Sequence, residues 1–248
     1  MPFVELGPVD TYYEDRGGGP PVLLLHSYFG TVDSWSAQRA PLASSYRVVA
    51  TDARAHGRSA YSGGRLRLTD LVDDAAAVIE HLDLVPAHVV GSSLGALTAL
   101  TLAVRKPELV ATLTLIDPPH LDEPTCQDYM DRLVHEVFPS NEEAWEAPHR
   151  ALGPHHVRDV LMPNFSADRR EQPDDQRLAV LEANRIGRPA LIVAGDRDPV
   201  FPLERALALR HRIDAAELLV LPRGGHFPHR AYPDVFNELL LSFLARHA

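Results

Sequence analysis

The chain has 248 residues, enough for one large domain with a sizeable buried core. Lys and Arg number 24 and Asp and Glu number 34, which gives a formal net charge of -10 when histidine is neutral. This excess of negative charge disfavours nucleic acid or an anionic membrane as the main partner, because phosphate groups bind basic surfaces. The single cysteine, Cys126, cannot form an intramolecular disulfide, and the first residues lead us to expect no secretory signal, since they lack a basic region followed by an apolar run. We therefore expect a cytoplasmic protein. The sequence does not determine its oligomeric state, and a homodimer is one of the alternatives.

Short apolar runs rich in Val, Ile and Leu alternate with helical patterns along most of the chain. Such runs are typical of strands covered on both faces, so the alternation predicts an α/β fold with a mostly parallel sheet and helices on both of its faces. In chain order we expect an antiparallel hairpin over 4–6 and 11–14 at the sheet edge, strands over 22–25 and 47–50, a helix over 69–82, a strand over 88–90, a helix over 93–105, strands over 113–116 and 191–193, a helix over 203–212, a strand over 218–221 and a helix over 234–246. Thr69 and Asp234 are predicted to cap their helices.

The alternation breaks between Asp117 and Arg188. This stretch is rich in proline, lacks strand-like runs and is too long for a loop. We interpret it as a mostly helical insertion. It divides the chain into a first part of the core (1–117), a helical cap (118–188) and a second part of the core (189–248).

The segment Gly91-Ser92-Ser93-Leu94-Gly95 lies between a predicted strand and a predicted helix. A sharp turn at this point forces its central residue into a strained backbone conformation, for which the two small glycines leave room. The turn projects the Ser93 hydroxyl above the carboxyl edge of the sheet, and the helix start offers N–H donors to a developing oxyanion. Ser93 is therefore the predicted nucleophile.

A serine nucleophile needs a base that is oriented by a third group. An acid and a histidine follow Ser93 in the expected order: Asp198 and His226 each come just after a predicted strand. Two glycines before His226 let its imidazole lean over the sheet. Asp117 also ends a predicted strand and is the alternative acid, but two prolines turn the chain away after it. We expect Asp196 to be a solvated or turn-capping carboxylate.

Four collinear motifs resemble those of α/β-hydrolase-fold enzymes, the broad group that holds esterases, lactonases, C–C bond hydrolases, dehalogenases and cofactor-free haloperoxidases. One is the turn around Ser93. The others are the segment 24–30, which resembles the family's oxyanion loop, the segment 52–59, which resembles its D-x-R-G-H-G-x-S turn, and the strand ends that carry Asp198 and His226. The insertion falls where this family carries its cap.

The resemblance implies a role for each matching position. Ser93 would be the nucleophile, Asp198 the acid and His226 the base, and the backbone N–H groups of Tyr28 and Leu94 would form the oxyanion hole. Two departures stand out, because Ser27 and Ala55 occupy positions where the family usually has glycine. A Cβ atom at position 27 can tilt the loop that carries the Tyr28 donor.

The substrate is expected to be a small, hydrophobic molecule. The candidate pocket residues are Ser27, Phe29, Trp145 and Phe227. His229, three residues after the base, is a further candidate for substrate contact, whereas His26 and His56 are expected to brace loops and Trp35 to pack below the oxyanion loop. No cofactor or metal is needed by the expected chemistry, and the cap histidines lack a metal-binding spacing.

The leading expected reaction is hydrolysis of a carboxylic ester or lactone through an acyl-enzyme. A first alternative is C–C bond hydrolysis of a β-diketone-like substrate by the same three residues. A second is a non-hydrolytic binder or cyclase on the same fold. A serine at position 93 excludes dehalogenation and epoxide opening by the family's usual route, since both need a carboxylate nucleophile.

Overall fold

The computed structural model describes residues 3–5, 9–59, 66–118, 180 and 182–248. Labels number the elements of these residues in chain order. The strands are β1 (Phe3–Glu5), β2 (Asp10–Gly17), β3 (Pro21–Leu25), β4 (Arg47–Thr51), β5 (Ala87–Ser92), β6 (Val110–Ile116), β7 (Ala190–Gly195) and β8 (Ala216–Leu221). The α-helices are α1 (Ser36–Ala43), α2 (Leu68–His81), α3 (Leu94–Arg105), α4 (Leu203–Arg212), α5 (Pro228–Ala231) and α6 (Pro233–Ala245), and 3-10 helices cover Val32–Trp35, Pro107–Leu109 and Glu182–Arg185.

The strands of the described residues form one eight-stranded sheet in the order β1-β2-β4-β3-β5-β6-β7-β8. β1 pairs with β2, and β2 with β4, in antiparallel fashion. All the other neighbours are parallel. The predicted α/β fold with a mostly parallel sheet is confirmed, and so is the antiparallel hairpin at its edge. Among the described residues, no helix is long and apolar enough to cross a membrane.

Both faces of the sheet are covered by apolar side chains, as the strand composition predicts. Alternate residues of β3 show this directly: Leu23 and Leu25 join a cluster with α2 and α3, whereas Val22 and Leu24 join a second cluster on the other face. Trp35 and Phe236 are fully buried in that second cluster. Period-two alternation with both sides apolar places β3 in the middle of the sheet.

Two predicted helix caps are wrong. α2 begins at Leu68 and α6 at Pro233, so Thr69 and Asp234 lie inside the first turn, and neither helix has a side-chain hydrogen bond at its cap. Leu68 is 1% exposed, so its burial favours the earlier start of α2. Pro233 has a ring-restricted φ that suits the first helical position.

The predicted cap falls mostly outside the described residues. Of the range 118–188, the structure describes residues 118, 180 and 182–188. The helical nature of the insertion and the boundaries 1–117, 118–188 and 189–248 therefore stay predictions.

Asp52 ties the loop after β3 to the loop after β4. Its carboxylate is completely buried, and it accepts hydrogen bonds from the backbone N–H of Val32 at 2.7 Å and of Arg58 at 2.8 Å. The Ser59 hydroxyl donates to the Asp52 carbonyl and accepts from the N–H of Tyr12 at 2.9 Å. A buried carboxylate needs such donors to offset its lost hydration, so these contacts hold both loops at the carboxyl edge of the sheet.

Replacing Asp52 by Asn tests this arrangement. The amide has one acceptor oxygen, so one of the two backbone donors is left without a partner. We expect the free energy of unfolding to fall by about 1–3 kcal/mol, measured by urea unfolding. The exposed Asp214 provides the matched control, since Asp214→Asn is expected to change the free energy by no more than about 0.5 kcal/mol. Equal values for the two variants would contradict the role of Asp52.

Candidate active site

Ser93 lies at the junction of β5 and α3. Its φ of 52° and ψ of -113° place it in a left-handed, strained backbone region. The Ser93 N–H still donates to the Ile116 carbonyl at 2.8 Å, as if β5 continued, while α3 begins at the next residue. The strand-to-helix turn expected from the sequence is therefore present, with Ser93 at its apex.

The two glycines that flank Ser93 permit close backbone approaches. A Cβ atom on Gly91 would collide with the Gly95 carbonyl. A Cβ atom on Gly95 would collide with the carbonyl oxygens of Leu25 and His26, where the oxyanion loop starts. The predicted need for small residues at both positions is confirmed, because a side chain at position 91 would open the turn itself and one at position 95 would push α3 away from the end of β3.

A chain of hydrogen bonds links Ser93, His226 and Asp198. The Ser93 Oγ lies 3.0 Å from His226 Nε2, and His226 Nδ1 lies 2.7 Å from Asp198 Oδ2. Because the carboxylate can only accept, the imidazole carries its proton on Nδ1 and presents Nε2 as an acceptor to the serine hydroxyl. The structure thus brings together the three residues that the sequence order selected. Asp196 is exposed, as expected.

Asp198 is held by the backbone as well as by the histidine. Its side chain is fully buried, and its Oδ1 accepts from the N–H of Val200 at 2.7 Å. The loop that carries it touches the histidine loop, since Arg197 N–H donates to the Gly224 carbonyl at 2.9 Å. A Cβ atom on Gly195 would collide with the carbonyls of Gly224 and Gly225. The distance between acid and base therefore depends on glycine at position 195.

The alternative acid, Asp117, lies beside the same groups. β6 and β7 are parallel neighbours, so Asp117 ends its strand next to the strand end that leads to Asp198. Ligand-type atoms of Asp117, Asp198 and His226 all lie within 4.8 Å of one another. Burial, and then the charge of Asp198, raise the pKa of Asp117 well above its ordinary value.

Two carboxylates and an imidazole at this spacing also have the chemistry of a metal site. Here both imidazole nitrogens already have hydrogen-bond partners, Nδ1 in Asp198 and Nε2 in Ser93. A metal on either nitrogen would have to replace one of these hydrogen bonds. We therefore assign the cluster to the hydrogen-bonded chain of Ser93.

The expected oxyanion residues, Leu94 and Tyr28, belong to α3 and to the loop after β3, which approach each other at Gly95. Leu94 is the first residue of α3, where backbone N–H groups have no partner within the helix. Tyr28 follows Ser27, whose carbonyl accepts from the Gly30 N–H at 2.9 Å and from His26 Nδ1 at 2.7 Å. The loop is therefore a tight turn that tolerates the Ser27 side chain, with Phe29 as its left-handed residue at φ 62°.

Two histidines brace these loops, as expected. His26 Nε2 accepts from the Ala53 N–H at 2.9 Å, so His26 connects the oxyanion loop to the turn after β4. The rings of His26 and His56 lie 5.1 Å apart, and the ring of Tyr28 lies 5.5 Å from that of His56. Ala55 adopts a φ of 64°, the conformation for which the family's glycine is suited.

The candidate pocket residues have different positions. Phe29 and Phe227 are half-buried, and the Phe227 ring lies 4.8 Å from that of His226. Ser27 is buried in its turn, at 5% exposure. Trp145 falls outside the described residues.

His229 is not placed for the substrate contact that its spacing suggested. It is 1% exposed, and its ring lies 5.1 Å from that of Trp35 and 5.8 Å from that of Phe236. The α5 helix turns the side chain inward, against the core below the site. Its full burial, with further contributions from the charges of Arg230 and His226, lowers the pKa of His229 to about 3.

Comparison with known proteins agrees with this geometry. The sequence profile described as alpha/beta hydrolase fold matches residues 20–152. The chain belongs to the α/β hydrolase fold family. The family's strand–turn–helix at the nucleophile, its strand-end acid and its strand-end histidine all have counterparts in the site just described.

Individual relatives carry different names. The dihydrolipoyllysine-residue acetyltransferase component of the acetoin cleaving system of Pseudomonas putida is 30% identical over 93% of this chain, which spans 65% of that protein's length. The 2-hydroxymuconate semialdehyde hydrolase of Pseudomonas sp. (strain CF600) is 28% identical over 96% of this chain and 91% of its own length. A solved structure described as an N-acyl homoserine lactone degrading enzyme is 27% identical, with a TM-score of 0.74, and the match covers 98% of this chain and 100% of that one. The names of these relatives therefore do not agree on a single reaction.

The burial of His229 leads to a prediction about the stability of the protein in acid. The folded protein keeps this imidazole neutral, whereas the unfolded chain binds a proton below pH of about 6.5. Stability that is present above the unfolded pKa is thus lost as the pH falls toward the folded value of about 3. We expect His229→Phe to remove this loss. From pH 6 downward, the free energy of unfolding should then fall less steeply in the variant than in the wild type, and the two slopes should differ by about 1.4 kcal/mol per pH unit.

Chemical denaturation at a series of pH values measures the slope. His211→Phe, at an exposed histidine of α4, is the control and should follow the wild type. Parallel curves for His229→Phe and the wild type, whatever their constant offset, would contradict the prediction.

Proposed function

We propose that the protein is a serine hydrolase that cleaves a carboxylic ester or lactone of a small, hydrophobic substrate through an acyl-enzyme. The observation that carries the proposal is the hydrogen-bonded chain from Ser93 Oγ through His226 to the buried Asp198. A protein that only binds its ligand has no need of a base oriented on a strained serine.

The first half of the reaction forms the acyl-enzyme. His226 Nε2 takes the proton of the Ser93 hydroxyl as its oxygen attacks the substrate carbonyl. The N–H groups of Leu94 and Tyr28 stabilise the tetrahedral oxyanion, and Leu94 adds the positive end of the α3 dipole. The imidazolium then donates its proton to the departing alkoxide, which leaves as an alcohol; in a lactone this alcohol stays attached to the acyl group.

The second half releases the acid. His226 removes a proton from a water molecule, the resulting hydroxide attacks the acyl carbonyl, and the proton returns to Ser93 Oγ as the ester bond breaks. Asp198 keeps the proton of the neutral imidazole on Nδ1 and stabilises the imidazolium in both halves. Every step uses protein groups and water alone.

The substrate class is inferred from the groups around the nucleophile. Phe227 presents half-buried aromatic surface with its ring 4.8 Å from that of His226, and Phe29 adds a second half-buried aromatic ring on the expected oxyanion loop. Such surface suits an apolar acyl or alcohol part. Similarity at 27% identity to an N-acyl homoserine lactone degrading enzyme supports including lactones among the substrates.

C–C bond hydrolysis is the second candidate. It is favoured by the 28% identity, across nearly the whole of both chains, to a 2-hydroxymuconate semialdehyde hydrolase. The same three residues would serve, with a ketonisation of the substrate before the serine attacks. A panel of aryl esters, lactones and a ring-fission diketone separates the two candidates by their kcat/KM values.

Replacing Ser93 by Ala tests the proposed nucleophile. We expect hydrolysis of the best panel substrate to fall by at least about 10³-fold, because the acyl-enzyme cannot form. Covalent labelling by a fluorophosphonate, followed by mass spectrometry, should modify the wild type at Ser93 and leave the variant unmodified. Ser92→Ala is the matched control, since this neighbouring serine is buried and its Oγ has no hydrogen-bond partner among the described residues.

The outcomes separate the rival functions. Full activity of the folded Ser93→Ala variant would overturn the mechanism. A wild type that neither reacts with the fluorophosphonate nor hydrolyses any panel substrate would instead favour a binder that keeps the fold.

Gly195→Ala tests whether the position of His226 depends on the contact between Gly195 and the loop that carries Gly224 and Gly225. The added methyl group displaces Gly224 and Gly225, and with them His226, so kcat/KM should fall by about 10²-fold while the fold persists. Gly187→Ala is the control, because a Cβ atom there meets no atom within 4 Å. Equal kcat/KM values for the two alanine variants would show that the loop contact does not position His226.

A further inference from the structure

The Asp117 carboxyl is a buried group that the reaction steps leave unused. Its side chain is 0% exposed, Oδ1 accepts from the Gly195 N–H at 3.3 Å, and Oδ2 has no hydrogen-bond partner among the described residues when both carboxyls are taken as acceptors. The residue also has a φ of 43°, a left-handed conformation that Asp and Asn tolerate better than most residues. A buried, strained acid beside the proposed catalytic groups calls for a physical explanation.

The neighbours of Asp117 decide its protonation. Asp198 is the charged group that acts on it, and His226 is the titratable group within 4.8 Å of both carboxyls. Two carboxylates this close in a buried site do not both ionise, so the pair keeps one proton. Asp198 accepts from the Val200 N–H and from His226 at 2.7 Å each, whereas Asp117 has a single long backbone donor. Asp198 therefore has more hydrogen bonds to stabilise a negative charge. We assign the charge of the pair to Asp198 and the proton to Asp117.

We propose that Asp117 is a positioning residue whose protonated carboxyl donates a hydrogen bond from Oδ2 to the Asp198 carboxylate. The proposal rests on the proposed function, in which Asp198 orients His226. Asp117 thereby converts an unpaired buried acceptor into a donor and gives Asp198 a third hydrogen bond. A carboxylate held on three sides keeps Oδ2 aimed at His226 Nδ1 throughout the proton transfers.

The same arrangement sets the charge beneath the imidazole. The pair of carboxyls carries one negative charge rather than two, which is enough to stabilise an imidazolium during the reaction. In its neutral form Asp117 helps to orient the Asp198 carboxylate and adds no negative charge to the site.

Asp117→Asn and Asp117→Ala separate these effects. The Asn side chain keeps an acceptor for Gly195 and an N–H₂ donor for Asp198, and it suits the left-handed backbone. The Ala side chain removes both hydrogen bonds. Asn is therefore expected to preserve the site, whereas Ala should lower kcat roughly tenfold or more with little change in KM, because the lost contact acts on the proton transfers.

The pH profile of kcat/KM reports the charge of Asp117. If Asp117 is neutral, Asp117→Asn exchanges one neutral donor for another, and the acid limb of the profile stays within about 0.3 pH unit of the wild type. If Asp117 is ionised, the same variant removes a negative charge near His226, and the limb moves to lower pH by about one unit or more. The second result would overturn the proposal, as would an Asp117→Ala variant with wild-type kcat.

A measurement without turnover keeps the proposal testable if no substrate is found. A protonated Asp117 favours ionisation on unfolding, so the wild type loses stability as the pH rises above the unfolded pKa, and Asp117→Asn does not. The ratio of the folding equilibrium constants, variant over wild type, should rise by about tenfold or more between pH 5 and pH 8. Asp196→Asn, at an exposed carboxylate of the same sheet edge, should give a constant ratio.

The two readouts distinguish the possible failures. A constant or falling ratio for Asp117→Asn would overturn the protonated Asp117 even if Ser93 is the nucleophile. Full activity of Ser93→Ala would overturn the proposed function. It would not affect the ratio of folding equilibrium constants measured for Asp117→Asn, which tests the protonation of Asp117 separately.

Discussion

The site depends on the close approach of Gly95 to the end of β3. With no Cβ atom, the first turn of α3 rests directly against the carbonyls of Leu25 and His26. This contact brings the serine turn and the oxyanion loop together, because both are attached to neighbouring central strands. The parallel register then places the ends of β6, β7 and β8 along the same edge, where the acid and the histidine follow. Ser93 lies at the apex of the turn that these contacts hold, in its strained conformation.

Three buried aspartates hold this edge in different ways. Asp52 accepts from two backbone N–H groups and acts as a brace between loops. Asp198 accepts from one backbone N–H and from an imidazole, so its charge faces His226. Asp117 has one long backbone donor and a charged neighbour, which favours its neutral form. The kind of donor separates Asp52 from Asp198, since one accepts from backbone N–H groups alone and the other also from an imidazole, and the lack of a second donor sets Asp117 apart from both.

Local patterns predicted the elements well and their ends less well. The glycines at 91 and 95 could be assigned from the sequence because their role follows from a strand–turn–helix that is local in the chain. The starts of α2 and α6 were misplaced by one residue, since the burial of Leu68 and the ring of Pro233 outweigh the capping tendency of Thr69 and Asp234. The burial of His229 could not be predicted from its neighbours in sequence, because its environment comes from Trp35, far away in sequence and close in space.

The sequence by itself determined the order and chemistry of Ser93, Asp198 and His226, since each stands just after an apolar strand in a turn built from small or polar residues. It also determined a mostly parallel sheet, because apolar runs of this kind can be buried only between two layers of helices. Only the tertiary structure decided that Asp117 shares a buried space with Asp198, and that His229 lies below the site rather than in it. Contacts between strand ends depend on which strands are neighbours and on which way each loop turns, and neither is encoded in any single segment of the chain.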